Sequence, residues 1–304
     1  MKRVLITGSS GFVGPYLTAE LEKFGYDVFG LDRGGTKTDH HHVADISNAA
    51  HVASAITEIQ PQFIFHLAGV SNPKFAESHA AEAYAVNVEG ARNLLEAAAT
   101  LANRPRILLV SSSYVYGAPE HLPIDETHPL HGVGVYADTR REGEALARNY
   151  YDTLPITIAR SFNHTGPGQP EGFFVPRAVK QIVAVAHGRQ REIQLGNIEL
   201  KRDILDVRDV VRAYRLLIEN EASGRTVNVC RGQSIALKKL VEYGTVLANL
   251  HNPPISLNQD HNPALDAPDI YGSYAALHTL TGWEPGITYE QMIGDIYTYW
   301  EKQI

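Results

Sequence analysis

Residues 4–14 read Val-Leu-Ile-Thr-Gly-Ser-Ser-Gly-Phe-Val-Gly, and no other run constrains the chain as much. An apolar, β-branched stretch stops at Gly8, Gly11 and Gly14, and an amphipathic stretch follows through Tyr16, Leu17, Leu21 and Phe24. The pattern predicts a strand over 3–7, a tight turn, and a helix over 12–24. Gly8 allows the turn, Gly11 lets the backbone approach a pyrophosphate, and Gly14 lets the helix pack close to the strand. A helix N-terminus offers unmet N–H groups and a partial positive charge, which suit a phosphate. The spacing is Gly-x-x-Gly-x-x-Gly rather than Gly-x-Gly-x-x-Gly, so its weight comes from lying directly after a strand. Phe12 and Val13, inside the turn, join the three glycines as expected dinucleotide contacts.

The same rhythm continues. Strands are expected at 26–31, 43–45, 63–67, 106–110 and 156–159, with helices at about 48–58, 79–101 and 136–151. Strands that are apolar throughout and alternate with helices imply right-handed βαβ units and a parallel sheet buried on both faces. Residues 1–165 are therefore read as a Rossmann-type, doubly wound α/β domain. After Asn163 the rhythm is lost: Gly and Pro cluster at 166–172, then come a helix (175–187), a strand-like 192–195 and a helix (207–218). Residues 166–304 are expected to form mainly a smaller C-terminal substrate-binding lobe, with about 205–232 returning to the main sheet. Ligands of such sheets sit at the carboxyl ends of the strands.

Composition narrows the partners. The 304 residues carry a net charge of −7 with no block of like charge, which argues against nucleic acid as the main partner. No apolar run reaches the roughly 18 residues of a membrane span. The chain enters its first strand at once, so no signal peptide is expected. The single cysteine, Cys230, lies in an apolar run, reads as a buried residue and excludes a disulfide framework, so a reducing cytoplasm is the expected compartment. His40-His41-His42 would alternate in direction on an extended chain and does not converge on a metal ion.

At the cofactor end, Asp32 closes the second strand, where a carboxylate can accept from an adenosine ribose hydroxyl and favour NAD. Arg33 beside it could take a 2′-phosphate and favour NADP, or be a solvated loop charge. Asp45-Ile46 could border the adenine, or Asp45 could cap the next helix. At the other end, Val110-Ser111-Ser112-Ser113 follows a strand and leads to Tyr114-Val115-Tyr116-Gly117. Tyr136 and Arg140, four apart on a helix, share a face. A phenol of ordinary pKa about 10 beside a fixed cation is eased towards proton transfer, and a nearby serine hydroxyl can hold a substrate oxygen.

Gly8-x-x-Gly11-x-x-Gly14, His66-Leu67-Ala68-Gly69, Asn87-Val88-x-Gly90, Ser112 before Tyr116-Gly117, and the Tyr136 helix occur in the order found in a known family. The chain resembles the extended short-chain dehydrogenase/reductases that act on nucleotide sugars. Arg160-Ser-Phe-Asn163-His164-Thr165-Gly166-Pro167-Gly168-Gln169, Gly196-Asn197-Ile-Glu199, Arg202-Asp203 through Asp206-Val-Arg-Asp209, Val227-Asn228-Val229-Cys230 and Gly282-Trp283-x-Pro285 make it most similar to the GDP-4-keto-6-deoxy-mannose reductases. The resemblance implies that Ser112 and Tyr136 hold and protonate a carbonyl oxygen with Arg140 beside them. Arg202 would grip the nucleotide diphosphate, and Ser113, Asn163 and Asn197 would line the substrate cleft. Leu67, Ala68, Gly69 and Asn87, with Tyr136 and Arg140, would border an NAD or NADP cofactor. It also implies a homodimer pairing the helices at 79–101 and 136–151.

Two departures stand out. The family pattern is Tyr-x-x-x-Lys, whereas this chain has Arg140, larger, planar and always protonated. The family's Arg-Pro-x-Glu/Asp stretch corresponds here to Asn262-Pro263-Ala264-Leu265-Asp266, without the arginine. Related dehydratases carry an acid two positions after the catalytic Ser/Thr; here Ser113 and Tyr114 follow Ser112, which argues against 4,6-dehydration. Three readings stay open: a 4-keto reductase, a nucleotide-sugar 4-epimerase with retained NAD, and a non-catalytic nucleotide-binding relative, the last motivated by Arg140.

Overall fold

A computed structural model describes residues 1–220, 222–257 and 267–303. The expectation for residues 262–266 therefore lies outside the described residues. Val4, Leu5 and Ile6 have no exposed surface because strand β1 (Arg3–Thr7) lies inside a sheet covered on both faces. The elements that follow are α1 (Gly14–Lys23), β2 (Asp27–Asp32), β3 (His41–Val43), α2 (Ala49–Ile59), β4 (Phe63–His66), α3 (Pro73–Ser78), α4 (Ala80–Tyr84), a π-helical turn (Ala85–Glu89), α5 (Gly90–Thr100), β5 (Arg106–Ser112), α6 (Val135–Arg148), β6 (Ile156–Ser161) and β7 (Asn163–Thr165). Then come α7 (Phe174–Ala186), β8 (Ile193–Leu195), β9 (Lys201–Arg202), β10 (Ile204–Asp206), α8 (Val207–Glu219), β11 (Arg225–Val229), β12 (Ile235–Ala236), α9 (Leu237–Leu247), β13 (Ile255–Leu257), β14 (Asp269–Ile270), α10 (Ala275–Thr281) and α11 (Tyr289–Glu301).

Seven parallel strands in the order β11-β6-β5-β4-β1-β2-β3 form the main sheet, the doubly wound architecture expected. Leu5, Ile64 and Leu109 face a core shared with α2, α5 and α6; Val4, Ile6, Phe65 and Leu108 face one shared with α1, α8 and Trp283. The chain changes direction across the sheet between β1 and β4, so their carboxyl ends form the crevice where ligands of this architecture bind. A separate apolar cluster joins α7, α9 and α11, through residues such as Val179, Leu240 and Met292.

The structure differs from the sequence reading in three places. The helix expected at 79–101 begins at Ala80, set off by His79 from the unforeseen α3, and carries the π-helical turn, which sets Asn87 facing Val70 and Thr139. The short strand lies at 41–43 rather than 43–45, because Asp45 folds back on Ser47, accepting from its N–H at 2.9 Å and its hydroxyl at 2.7 Å. The cap of α2 is accordingly Asn48, which accepts from the His51 N–H, and not Asp45. Among the described residues no helix is long and apolar enough to cross a membrane, and no group of three or more His, Cys, Asp and Glu side chains is placed to hold a metal ion.

Candidate active site

The glycine turn fits a dinucleotide. Gly8 has φ +73°, and a β-carbon there would lie 2.8 Å from the Ala68 nitrogen; one on Gly14 would run into the Ser9 backbone. Helix α1 starts with Val13 at its cap and no side chain accepting from its first turn, so those N–H groups are left for an anion. Phe12 stacks on His164 with ring centroids 6.3 Å apart, and the Tyr16 hydroxyl donates to the Pro167 carbonyl at 2.6 Å, which joins the turn to the segment after β7.

Across the crevice, β5 ends in Ser112, buried, whose Oγ accepts from the Tyr114 N–H at 3.3 Å. The Tyr114 ring meets Tyr136 edge-on at 5.4 Å, and Tyr136 is only 7% exposed. Burial, reinforced by Tyr136, pushes the Tyr114 phenol up to about 12, while Arg202 lowers it; Tyr114 is therefore no base near neutral pH. The Arg140 guanidinium lies 5.3 Å from the centre of the Tyr136 ring. It donates to the carbonyls of Val110 (3.0 Å) and Val70 (3.4 Å), tying the end of β5 and the loop after β4 to α6. Its Nε is buried and without a hydrogen-bond partner, and no carboxylate among the described residues pairs with it. Asn87 accepts from the Val70 N–H (2.8 Å) and donates to Thr139 (3.0 Å), fixing the same loop. Behind Arg140 is a small cavity lined by His66, Asn87, Ser111, Thr139 and Gly143. His66, 2.8 Å from the Thr7 hydroxyl, is held down to about 3 by burial and then by the Arg140 charge, so it stays neutral.

Beneath these groups lies a buried polar network. Arg160, 3% exposed, donates to both Glu144 oxygens at 2.9 and 2.7 Å; Ser111 and Arg148 donate to the same carboxylate. Arg160 also reaches the Tyr116 hydroxyl, which donates to Asn228 at 2.7 Å. Burial alone would raise Glu144, but the hydrogen bonds and charge of Arg160 outweigh it and hold the carboxyl below its ordinary value.

A family model described as GDP-mannose 4,6 dehydratase matches residues 5–296. The chain belongs to this family. Over 310 aligned residues, this family member is 32% identical to the GDP-6-deoxy-D-mannose reductase of Pseudomonas aeruginosa, covering 100% of the chain and 98% of that protein. It is 29% identical to the GDP-6-deoxy-D-talose 4-dehydrogenase of Aggregatibacter actinomycetemcomitans, covering 92% and 91% respectively. The solved structure of RMD from Pseudomonas aeruginosa complexed with NADPH superposes with a TM-score of 0.89 at 31% identity, over the full length of both chains. A UDP-glucose 4-epimerase from Bifidobacterium longum, at 22% identity and a TM-score of 0.86, shows the shared fold.

Within this member of the GDP-mannose 4,6 dehydratase family, Gly8, Gly11, Phe12, Val13, Gly14, Leu67, Ala68, Gly69, Asn87, Ser112, Ser113, Tyr136 and Arg140 lie along the carboxyl edge of the sheet or directly behind it. Asp32, at the end of β2, accepts from the Ser9 hydroxyl and from the Ser10 N–H at 3.1 Å. Arg33 is exposed and pairs with Glu82 at 3.0 Å. Ile46 is buried against Gly90, leaving Asp45 as the polar member of that pair. Asn163 stands in β7 beside β10, and Arg202 donates to the Lys201 and Ala267 carbonyls. Asn197 is exposed and turns back on the Glu199 N–H at 3.0 Å. Sequence reasoning missed Glu144 and the role of Arg160, although an arginine inside an otherwise buried strand signals a partner. It also missed Glu77, which accepts from the Val135 N–H at 2.7 Å and so caps the helix that carries Tyr136.

Proposed function

We propose that the chain reduces the 4-keto group of a nucleotide-linked deoxy sugar, of the GDP-4-keto-6-deoxy-mannose type, with NADH or NADPH. One observation carries the reading: the Arg140 guanidinium, which no carboxylate among the described residues neutralises, lies against the Tyr136 ring, with Tyr114 and Ser112 alongside. Ser112 and Tyr136 hold the carbonyl oxygen, and Tyr136 gives it a proton as the new C–H bond forms. The fixed charge of Arg140 stabilises the tyrosinate left behind, which regains its proton from solvent. A nicotinamide held at this edge of the sheet would supply the hydride. The pinned Arg140 and Asn87 hold the loop after β4 and the helix of Tyr136 in one arrangement, which is the protein's main contribution besides charge.

Gly8, Gly11, Phe12, Val13 and Gly14 hold the pyrophosphate in this reading, Asp32, Arg33, Asp45 and Ile46 the adenosine end, and Leu67, Ala68, Gly69 and Asn87 the nicotinamide end. Ser113, Asn163, Asn197 and Arg202 contact the sugar nucleotide, and residues from about 166 form the lobe that receives it. The lack of a carboxylate at 113 and 114 speaks against dehydration. A homodimer through α5 and α6 rests on the family resemblance, since Ala91, Leu94, Leu95 and Ala98 are buried within the chain's own core. A reducing cytoplasm suits the one free, buried cysteine. The test is to supply freshly made GDP-4-keto-6-deoxy-mannose with NADH or NADPH and follow both absorbance and product. Stoichiometric oxidation of the cofactor supports the reductase; a changed sugar without net oxidation indicates an epimerase; cofactor binding with neither indicates a non-catalytic relative.

A further inference from the structure

Strand β2 reads Asp27-Val-Phe-Gly-Leu-Asp32, so Gly30 and Asp32 point to the same face. Gly30 has no side chain there, and two neighbours fill the space. A β-carbon on Gly30 would collide with the Ser9 hydroxyl from the β1 side and lie 3.1 Å from His41 Nδ1 on the β3 side, His41 being the register partner of Gly30. Both groups converge on Asp32. Ser9 and Ser10 already donate to its carboxylate, and His41 Nδ1 stands 3.9 Å from its Oδ2. The other ring nitrogen, Nε2, is 3.2 Å from the Gly34 carbonyl. A carbonyl only accepts, so Nε2 carries the proton of the neutral ring, and Nδ1 turns a lone pair towards the carboxylate. A second proton, at Nδ1, converts that arrangement into an ion pair.

We propose that His41 is a specificity residue whose protonation neutralises Asp32 and shifts the site from an unmodified adenosine ribose towards a 2′-phosphorylated one. The inference rests on the dinucleotide reading above and deepens it. An unpaired Asp32 carboxylate accepts from ribose hydroxyls and repels a 2′-phosphate; paired with an imidazolium it does neither as strongly. The other charges around His41 are engaged elsewhere. On β2, Asp27 is held by His40 at 3.0 Å; in the following loop Arg33 is drawn to Glu82, Lys37 lies 3.5 Å from Glu58, and Asp39 is exposed. His42, next in β3, faces Glu58 at 3.7 Å, and burial holds it below its ordinary value. Among the described residues Asp32 is thus the carboxylate within ion-pair distance of His41, with their side chains only 11% and 24% exposed.

The experiment measures dissociation constants of NAD+ and NADP+ for the full chain by calorimetry between pH 8 and pH 5.5, in the wild type and in His41→Asn and His41→Gln. The ratio Kd(NAD+)/Kd(NADP+) should rise in the wild type as pH falls, by about fivefold more than in either variant, the low end of coupling between two sites. The 2′-phosphate of free NADP+ also titrates, at about pH 6, but that is a property of the ligand common to all three titrations, so the difference between the proteins reports residue 41. Equal slopes in wild type and variants overturn the role of His41 and leave the dinucleotide site standing. NADP+ that fails to bind at any pH also overturns it. If neither dinucleotide binds, the cofactor reading falls as well, and this inference with it.

Discussion

Helix α6 carries two polar arrangements one turn apart, and they are built in opposite ways. At Glu144 the two fully buried charges are matched: the carboxylate takes two donors of Arg160 and is joined by Ser111 and by Arg148, whose side chain reaches solvent. At Arg140 nothing is matched: two donors meet neutral carbonyls, Nε meets nothing, and no carboxylate among the described residues is paired with it. A buried pair with complete hydrogen bonding fixes geometry and projects little field. A cation held by dipoles keeps its field for its surroundings, here the Tyr136 ring. The lower arrangement holds the floor of the site, and the upper one supplies its electrostatics.

The largest test of that division is Tyr136→Phe. Loss of a general acid lowers turnover by about 10²- to 10⁴-fold, while NADPH binding and thermal unfolding stay near wild type. Turnover unchanged in a steady-state assay would remove Tyr136 from the chemistry and the upper arrangement from the argument. The lower arrangement is broken by Glu144→Gln or Arg160→Met. Glu144→Gln leaves Arg160 buried without its counterpart, at a cost of about 3–5 kcal/mol in urea unfolding, and Arg160→Met costs less because Glu144 keeps Arg148. The double replacement Glu144→Leu with Arg160→Met recovers much of that loss, because the cost lies in the orphaned charge rather than in the missing attraction. Single variants as stable as the wild type would show that the network is not the floor described here.

Arg140 gives the converse result. Arg140→Met should cost about 10²-fold in turnover and less stability than Glu144→Gln, because the Val110 and Val70 carbonyls lose a donor but no buried charge is orphaned. Arg140→Lys keeps the charge and returns the family's residue, but one ammonium replaces the planar fork that spans Val110 and Val70. It should fall between methionine and wild type. A methionine variant as active as the wild type would show that Tyr136 works without this cation.

Local signals in the sequence made the sheet legible. β1, α1, α2, α7 and α8 fall within two residues of their expected ends, because apolar runs and helical periodicity report burial directly. The π-helical turn at 85–89 was not legible: an extra residue in one turn leaves the hydrophobic pattern almost unchanged. The Glu144–Arg160 pair and the Glu77 cap bring together residues 16 and 58 apart, and single-sequence spacing carries no record of such partners. The histidine run at 40–42 was read against metal alone. Alternation on the strand, the argument that removed the metal, is also what sends His41 towards Asp32 and His42 towards Glu58.

The smallest expected effect asks how far the unneutralised charge reaches. His66 is buried beside the cavity behind Arg140, and burial first, then that charge, holds it down to about 3. Its folded value therefore lies below its ordinary value of about 6.5. The stability this contributes is complete above the ordinary value and is lost as pH falls from there towards 3, because the unfolded chain takes up a proton that the folded chain refuses. Between pH 6 and 4.5, His66→Gln should remove about one proton from the uptake that accompanies unfolding, seen as a shallower fall of unfolding free energy with pH. That slope is independent of any constant destabilisation the replacement causes. Arg140→Met should flatten the same slope only slightly, since burial is the leading cause and the guanidinium the second. A flattening as large as that of His66→Gln would mean that charge, and not desolvation, keeps the imidazole neutral, and would extend the field of Arg140 well beyond the Tyr136 ring.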